Sequence, residues 1–523
     1  MWLLYFLFLT LLLSPTAQAQ FTYYKENDTI VIAGYTGPGG DLTIPATLEG
    51  LPVTRIETFA FAGHTELSRV TIPDSVTSIS GWAFSRCSGL TNVSFPKGIT
   101  AIQGGVFSEC TGLVSVVIPE SVNTIGDNAF TGCTGLTNLV IPDTVHYLGS
   151  GAFAACSGLT SVKISEGLTT LGTGVFSGCA SLTDVTVPSG ITYVANDAFS
   201  DCTGLTGLNI PNSVEAIDQH AFFNCTRLAT VSLGSGLSRL DSTAFAGCTA
   251  LTSITVAEGN PSFSSSEGVL FDQQKSKLLQ YPAAKADVTY TIPAGVTAIG
   301  DFAFAGCGTL TSLTIPYGVS TIGYSAFGSC KGLTSLEIPD SVTSIDRYAF
   351  GGCSSLATLS LGSGVPSLKE GVFASCSSLA SVKIPFGITN IGYSAFLNCA
   401  RLAKVTLPDS VKSIDEYAFS GCAGLTNISF GSSVTAFKDG AFAGCATLKS
   451  ITIPDTVTWL GYSVFANCSG LTGLSIGDNP VAINGVMFAG CTSLLRFTVG
   501  DSNPAYASVE GVLFNKDLTR LIK

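Results

Sequence analysis

The chain has 523 residues, 46% of them hydrophobic and only 11% charged, which is ample apolar material for a packed core and excludes intrinsic disorder. Twenty-four Lys and Arg against 36 Asp and Glu leave a net charge of −12, which disfavours nucleic acid or an anionic membrane as the main partner. Three histidines in the whole sequence leave little for acid–base or metal chemistry.

Residues 1–19 read as a signal peptide. Trp2 to Leu13 is an almost unbroken apolar run, and Ala17-Gln18-Ala19 has the small-x-small form that a signal peptidase reads. No Lys or Arg precedes Lys25, so the usual positive flank is missing and an uncleaved anchor is the alternative. The run is shorter than the ~20 apolar residues of a spanning helix, and no later stretch approaches that length. The mature chain is therefore expected to be secreted or at the cell surface, with no transmembrane segment. Residues 20–43 are expected to form an N-terminal cap.

From there a period takes over. Cys87, Cys110, Cys133, Cys156, Cys179, Cys202, Cys225 and Cys248 are each 23 residues apart, and the series resumes from Cys307 to Cys491. Phenylalanine keeps the same step three residues earlier, through Phe84, Phe107, Phe130 and Phe153. An extra first unit places His64 in the cysteine slot, so eighteen units are counted. A period between about 20 and 50 residues signals a solenoid whose units bury their apolar faces only against one another.

Residues 136–158 show one unit. Leu139 and Ile141 alternate with Asn138 and Val140, which predicts a short strand. Pro142 lacks an amide donor and ends the ladder, Asp143 favours a turn, and Val145 and Leu148 begin a second inward pair on the opposite wall. Ala152, Phe153 and Cys156 are spaced to meet across one helical turn. The fold class expected is a β-dominated repeat solenoid with stacked short parallel strands and about one helical turn per coil.

These residues, LxxLxIPxxVxxLxxxAFxxC, resemble the BspA-like class of leucine-rich repeats over roughly residues 42–499. The slot that commoner leucine-rich repeats give to Asn or Cys holds Pro-Asp-Ser or Pro-Asp-Thr here, so the turn is satisfied differently. The resemblance implies a surface protein that attaches to host proteins or to other cells.

Two breaks divide the array. Residues 44–257 form a first repeat block and residues 286–499 a second. Between them, 258–285 reads as a hairpin insert in which Val269 to Phe271 and Leu278 to Tyr281 flank a polar turn. Residues 500–523 repeat the start of that insert, since Glu510 to Phe514 matches Glu267 to Phe271. This tail reads either as a truncated array or as a terminal hairpin cap.

The cysteine row reads as reduced, packed thiols, with occasional disulfides between neighbours as the alternative. Equivalent Cα atoms ~5 Å apart fall within disulfide range, yet stacked identical residues point in parallel, and 17 is an odd number. A line of ligands does not converge on a metal. His64, His146 and His220 occupy different repeat positions and read as exposed variants. No side chain suggests a nucleophile or an acid–base pair, so no enzyme activity and no cofactor are expected. Five glycosylation sequons, at Asn27, Asn92, Asn224, Asn427 and Asn467, are chance matches in a chain this rich in Ser and Thr.

A ligand would lie on the outward rows of the first strand. The candidate binding face comprises Ser115, Asn138, Lys163, Asp184, Asn209, Thr230, Ser253, Lys404 and Asn427, with Glu337, Lys383 and Arg496 in the same rows. A solvated neutral wall is the alternative. With few aromatics in these rows, a broad contact or avidity is expected rather than one deep pocket. The function expected is non-enzymatic adhesion to an extracellular protein or matrix component. The alternatives are a glycan-binding module and a structural spacer or stalk.

Overall fold

The computed structural model describes residues 20–483 and 485–523, so the expected signal peptide at 1–19 lies outside the described residues. The chain divides into two units, Met1–Cys248 and Thr249–Lys523.

The first unit opens on an antiparallel hairpin, Phe21–Glu26 with Thr29–Tyr35. Its turn places Asn27 and Asp28 at φ 45° and 59°, a conformation that Asn and Asp tolerate best among residues with a side chain beyond hydrogen. Thr29–Tyr35 pairs in parallel with Leu51–Ile56, which pairs with Ser78–Ile79, so the hairpin covers the end of the first coil. His64 completes this lid. Its Nε2 lies 2.8 Å from the Tyr35 carbonyl oxygen and its Nδ1 lies 3.0 Å from that of Phe61. The expectation of an exposed variant is corrected for this histidine, because the first coil has no preceding cysteine-bearing coil and the imidazole ties it to the hairpin instead.

Successive coils then stack one period apart. Asn138, Leu139 and Val140 pair in parallel with Ser161, Val162 and Lys163, and on the other wall Thr124 and Ile125 pair with Tyr147 and Leu148. Alternation sends Leu139 and Val162 inward and their flanking residues out. Residues 113–118 and 182–187 keep the same alternate burial without strand bonding.

The segment expected to form a helical turn is tighter than that. The Cys133 N–H donates to the Phe130 carbonyl three residues back, while the Phe130 N–H donates to Ala152 of the next coil at 2.8 Å. An N–H spent on the neighbouring coil cannot close an α-turn, so Asn128 at φ 56° joins short i→i−3 turns. Among the described residues the one 3₁₀ helix is Gly485–Phe488.

Inside both units the phenylalanines stack face to face. Centroids of Phe130 and Phe153 lie 5.2 Å apart with 4° between planes, and those of Phe419 and Phe442 lie 5.6 Å apart with 0°. Each such ring is fully buried, a contribution of about 1.5–3 kcal/mol per coil that exists only when neighbours are present.

In the second unit the strand Ser253–Val256 is followed by Phe263–Ser266, Val269–Asp272 and Lys277–Gln280, the last three in antiparallel order. Lys277–Gln280 pairs in parallel with Ala298–Ile299 and so hands the hairpin on to the coils. Tyr281 takes the first place in this ring stack, 5.0 Å from Phe304, and its hydroxyl donates to Asp287 at 3.0 Å. The first-strand wall is a seven-stranded parallel sheet running from Thr289–Thr291 to Asn427–Ser429. A second hairpin, Tyr506–Val509 with Val512–Asn515, follows the strand Arg496–Val499.

Candidate binding face

Stacking with a fixed register makes the residues two apart on one strand, and those one period apart on the next, into a single outward grid. In the first unit Ser115, Asn138, Lys163, Asp184, Asn209 and Thr230 are all exposed on that grid, with Ser115 and Asp184 in segments outside the strands. Several are occupied by neighbours: the Ser161 hydroxyl donates to Asn138 Oδ1 at 2.7 Å, and Lys163 lies 3.4 Å from Asp143. Ser253 belongs to the second unit and is half-buried, because the Ile254 N–H donates to Gly268 of the insert and the hairpin crosses this strand. A Cβ on Gly268 would sit 2.8 Å from Ser253 Oγ. Lys404 and Asn427 are exposed and directly paired in register.

The second unit adds features at the slot that follows the repeat proline. Where that slot holds Asp, the carboxylate spans coils: Asp340 Oδ1 accepts the Ser363 N–H and Asp409 Oδ1 accepts the Ser432 N–H, each at 2.7 Å. Those amide bonds hold both carboxyl groups below the usual carboxylate range. Among the coils with another residue there, such as Ala294, Ser363 and Ser432, two carry an aromatic ring. Pro316-Tyr317-Gly318 and Pro385-Phe386-Gly387 place an aromatic residue in the slot, with the glycines at φ 120° and 110°. The Gly318 and Gly387 N–H groups donate instead to Ser341 Oγ and Ser410 Oγ, both at 3.1 Å. Tyr317 is 80% and Phe386 75% exposed, and neither ring packs on another ring among the described residues.

Tyr317 stands beside a groove of about 710 Å³ whose floor includes Ser312, Ser335, Thr358, Glu337 and Ser360. Three inter-strand steps of ~4.8 Å separate the coils of the two rings, and Ser381 and Lys383 complete the floor between them. On the opposite wall three rings are engaged, while Trp459 and Tyr462 are 58% and 67% exposed beside a smaller cavity. Tyr348 donates to Glu370 at 2.6 Å, Tyr393 meets Tyr417 edge to face, and Tyr348 and Tyr417 lie over the glycines Gly371 and Gly440.

Several cations of the second wall are paired, although Lys412 there forms no ion pair among the described residues. On the second wall Arg347 pairs with Glu370, Lys369 with Asp346, and Lys438 with Asp415. On the first-strand wall Lys383, Arg401 and Lys404 are exposed and form no ion pair among the described residues. The cysteines are all unpaired, and burial pushes the Cys156, Cys202 and Cys399 thiols up to about 12. Among the described residues no group of three His, Cys, Asp or Glu could hold a metal ion, and no helix is long and apolar enough to cross a membrane.

The family model described as the BspA type leucine rich repeat region matches residues 42–160, 146–267, 287–403 and 389–508. The chain belongs to the BspA-type leucine-rich repeat family.

Similar solved structures include a leucine-rich cell surface protein from Faecalibacterium prausnitzii, 30% identical over 78% of this BspA-type chain and 92% of that one, with a TM-score of 0.45. A leucine-rich repeat protein from Eubacterium ventriosum is 24% identical over 80% of this chain and 91% of that one, with a TM-score of 0.41. One from Bacteroides ovatus is 24% identical over 88% and 93%, with a TM-score of 0.37. No curated protein matches the chain.

Sequence reasoning missed Tyr317 and Phe386, although a signal was present. In a BspA-type unit whose turn reads Pro-Asp, as at Asp74, Asp143, Asp340, Asp409 and Asp455, an aromatic at that slot replaces the carboxylate bond to the next coil. The coils at Tyr317 and Phe386 are tied instead through the Gly318 and Gly387 amides, which leaves the slot itself to an outward ring.

Proposed function

We propose that the chain is a non-enzymatic extracellular binding protein that presents the first-strand wall of its second unit to a protein or matrix partner at the cell surface. The observation that carries this reading is the pair of outward rings, Tyr317 and Phe386, each raised by the same Pro-aromatic-Gly turn in place of a structural Asp. Aromatic side chains supply large contact area at small entropic cost and dominate binding surfaces. Membership of the leucine-rich repeat family supports a binding role. Repetition of the Ser, Thr and Lys grid lets weak contacts add as avidity.

The test is capture of extracellular matrix proteins and of cells by the purified chain. Replacing Tyr317 and Phe386 together by Ser is expected to abolish capture, while charging the first-unit wall at Ser115 and Asn209 leaves it intact. Capture that survives the double replacement unchanged would refute the assignment of the face.

A further inference from the structure

Resting on that reading of the face, we infer that its ligand is a linear anionic polysaccharide lying along the wall from Tyr317 to Lys404. Four observations converge. The two exposed rings are flat platforms without an enclosing pocket, which suits the C–H face of a pyranose: an aromatic face is electron-rich and attracts polarised C–H groups. The floor between them is a grid of hydroxyls, Ser335, Thr358, Ser360 and Ser381, able to donate to and accept from sugar hydroxyls.

The charges supply the rest. A chain with net charge −12 repels polyanions unless cations are concentrated and acids withdrawn. Lys383, Lys404 and Arg401 have no ion-pair partner among the described residues, whereas the nearby Asp409 is tied to the Ser432 amide. Lys383 and Lys404 lie on adjacent strands, Lys404 opposite Ser381 and Lys383 opposite Thr406. In the two outward rows from Thr289 to Thr498 the single carboxylate is Glu337, at the Tyr317 end. Acid groups of the ligand therefore belong at the Lys404 end, where lysines act as point charges and Arg401 as a planar fork. An acidic peptide fits less well, since the strands in this part of the sheet have both neighbours paired and leave no edge for an added strand.

Titration of the full chain with polygalacturonate, heparin, dextran and poly-L-glutamate tests the inference. Binding to polygalacturonate, heparin or both is expected, with the carboxylated and sulfated probes separating the two anion types, and it should weaken as salt rises. Dextran and poly-L-glutamate should bind at least about tenfold more weakly. Lys383→Ala with Lys404→Ala should lower affinity about tenfold, and Tyr317→Ala or Phe386→Ala about threefold each at constant salt. Lys412→Ala on the other wall should leave it unchanged, and unaltered melting of every variant checks folding.

Equal binding of poly-L-glutamate, or indifference to the two ring replacements, would overturn the inference in favour of simple ion exchange or a peptide ligand. Failure of both polysaccharides, with capture of matrix proteins still dependent on Tyr317 and Phe386, would reject the ligand class and leave the face standing. Failure of both would reject both.

Discussion

The Cys110 thiol donates to the Phe84 carbonyl oxygen at 3.1 Å across 26 residues, and that same oxygen accepts the Cys87 N–H of its own coil at 3.4 Å. The pattern recurs from Cys87 with Phe61 to Cys248 with Phe222, and from Cys330 with Phe304 to Cys491 with Phe465. Each phenylalanine carbonyl in these two series thus joins two coils, which gives the cysteine a bonding role besides that of a small apolar filler.

A pH dependence follows from the buried thiols. Cys156, Cys202 and Cys399 are raised to about 12 by burial, above the ordinary thiol value of roughly 8.5. The folded state therefore holds protons that the unfolded chain releases. The stabilisation is complete below about pH 8.5 and is lost as pH climbs towards about 12, at ~1.4 kcal/mol per pH unit for each thiol. Urea midpoints measured from pH 7 upward should drop steeply in that window, and a flat profile would contradict buried, protonated thiols.

Phe153 sits between Phe130 at 5.2 Å and Phe176 at 5.8 Å. Phe153→Ala should cost about 3–5 kcal/mol, because the stacked coils above and below cannot collapse into the gap without losing register. Thermal unfolding monitored by circular dichroism measures it.

Gly318 has open space where a Cβ would point, yet its φ of 120° is one that L side chains rarely adopt. Gly318→Ala should cost about 1–3 kcal/mol through backbone strain alone and should swing Tyr317 away from its present direction. Denaturant midpoints report the first effect, and partner capture reports the second.

His64→Ala removes the group facing both the Tyr35 and Phe61 carbonyls. Amide hydrogen exchange over residues 21–35 should accelerate while protection around Phe153 is unchanged, since stability in a repeat array passes only between neighbours. Uniform acceleration along the chain would argue against a local lid.

The inward face is legible in the sequence because its signal is periodic. Phe107, Cys110 and Leu113 recur at a fixed step, and only side chains that become neighbours by stacking need to match that step. The expected hairpin around Val269 and Leu278 was readable from alternation broken by a polar turn. The outward face carried no such signal. Ser253 and Ser381 occupy the same repeat position, yet the former is half-buried against the hairpin at Gly268, and sequence spacing is silent on where an insert lies.

The sequence by itself determined that the chain winds into stacked coils with a phenylalanine and cysteine seam, because burial of an apolar face demands one repeated pattern. Only the tertiary structure decided which carbonyl each thiol reaches, which lysines remain without carboxylates, and that Tyr317 and Phe386 stand clear of the wall. These depend on distances between different coils and on turn conformation, which a single unit read along the chain does not contain.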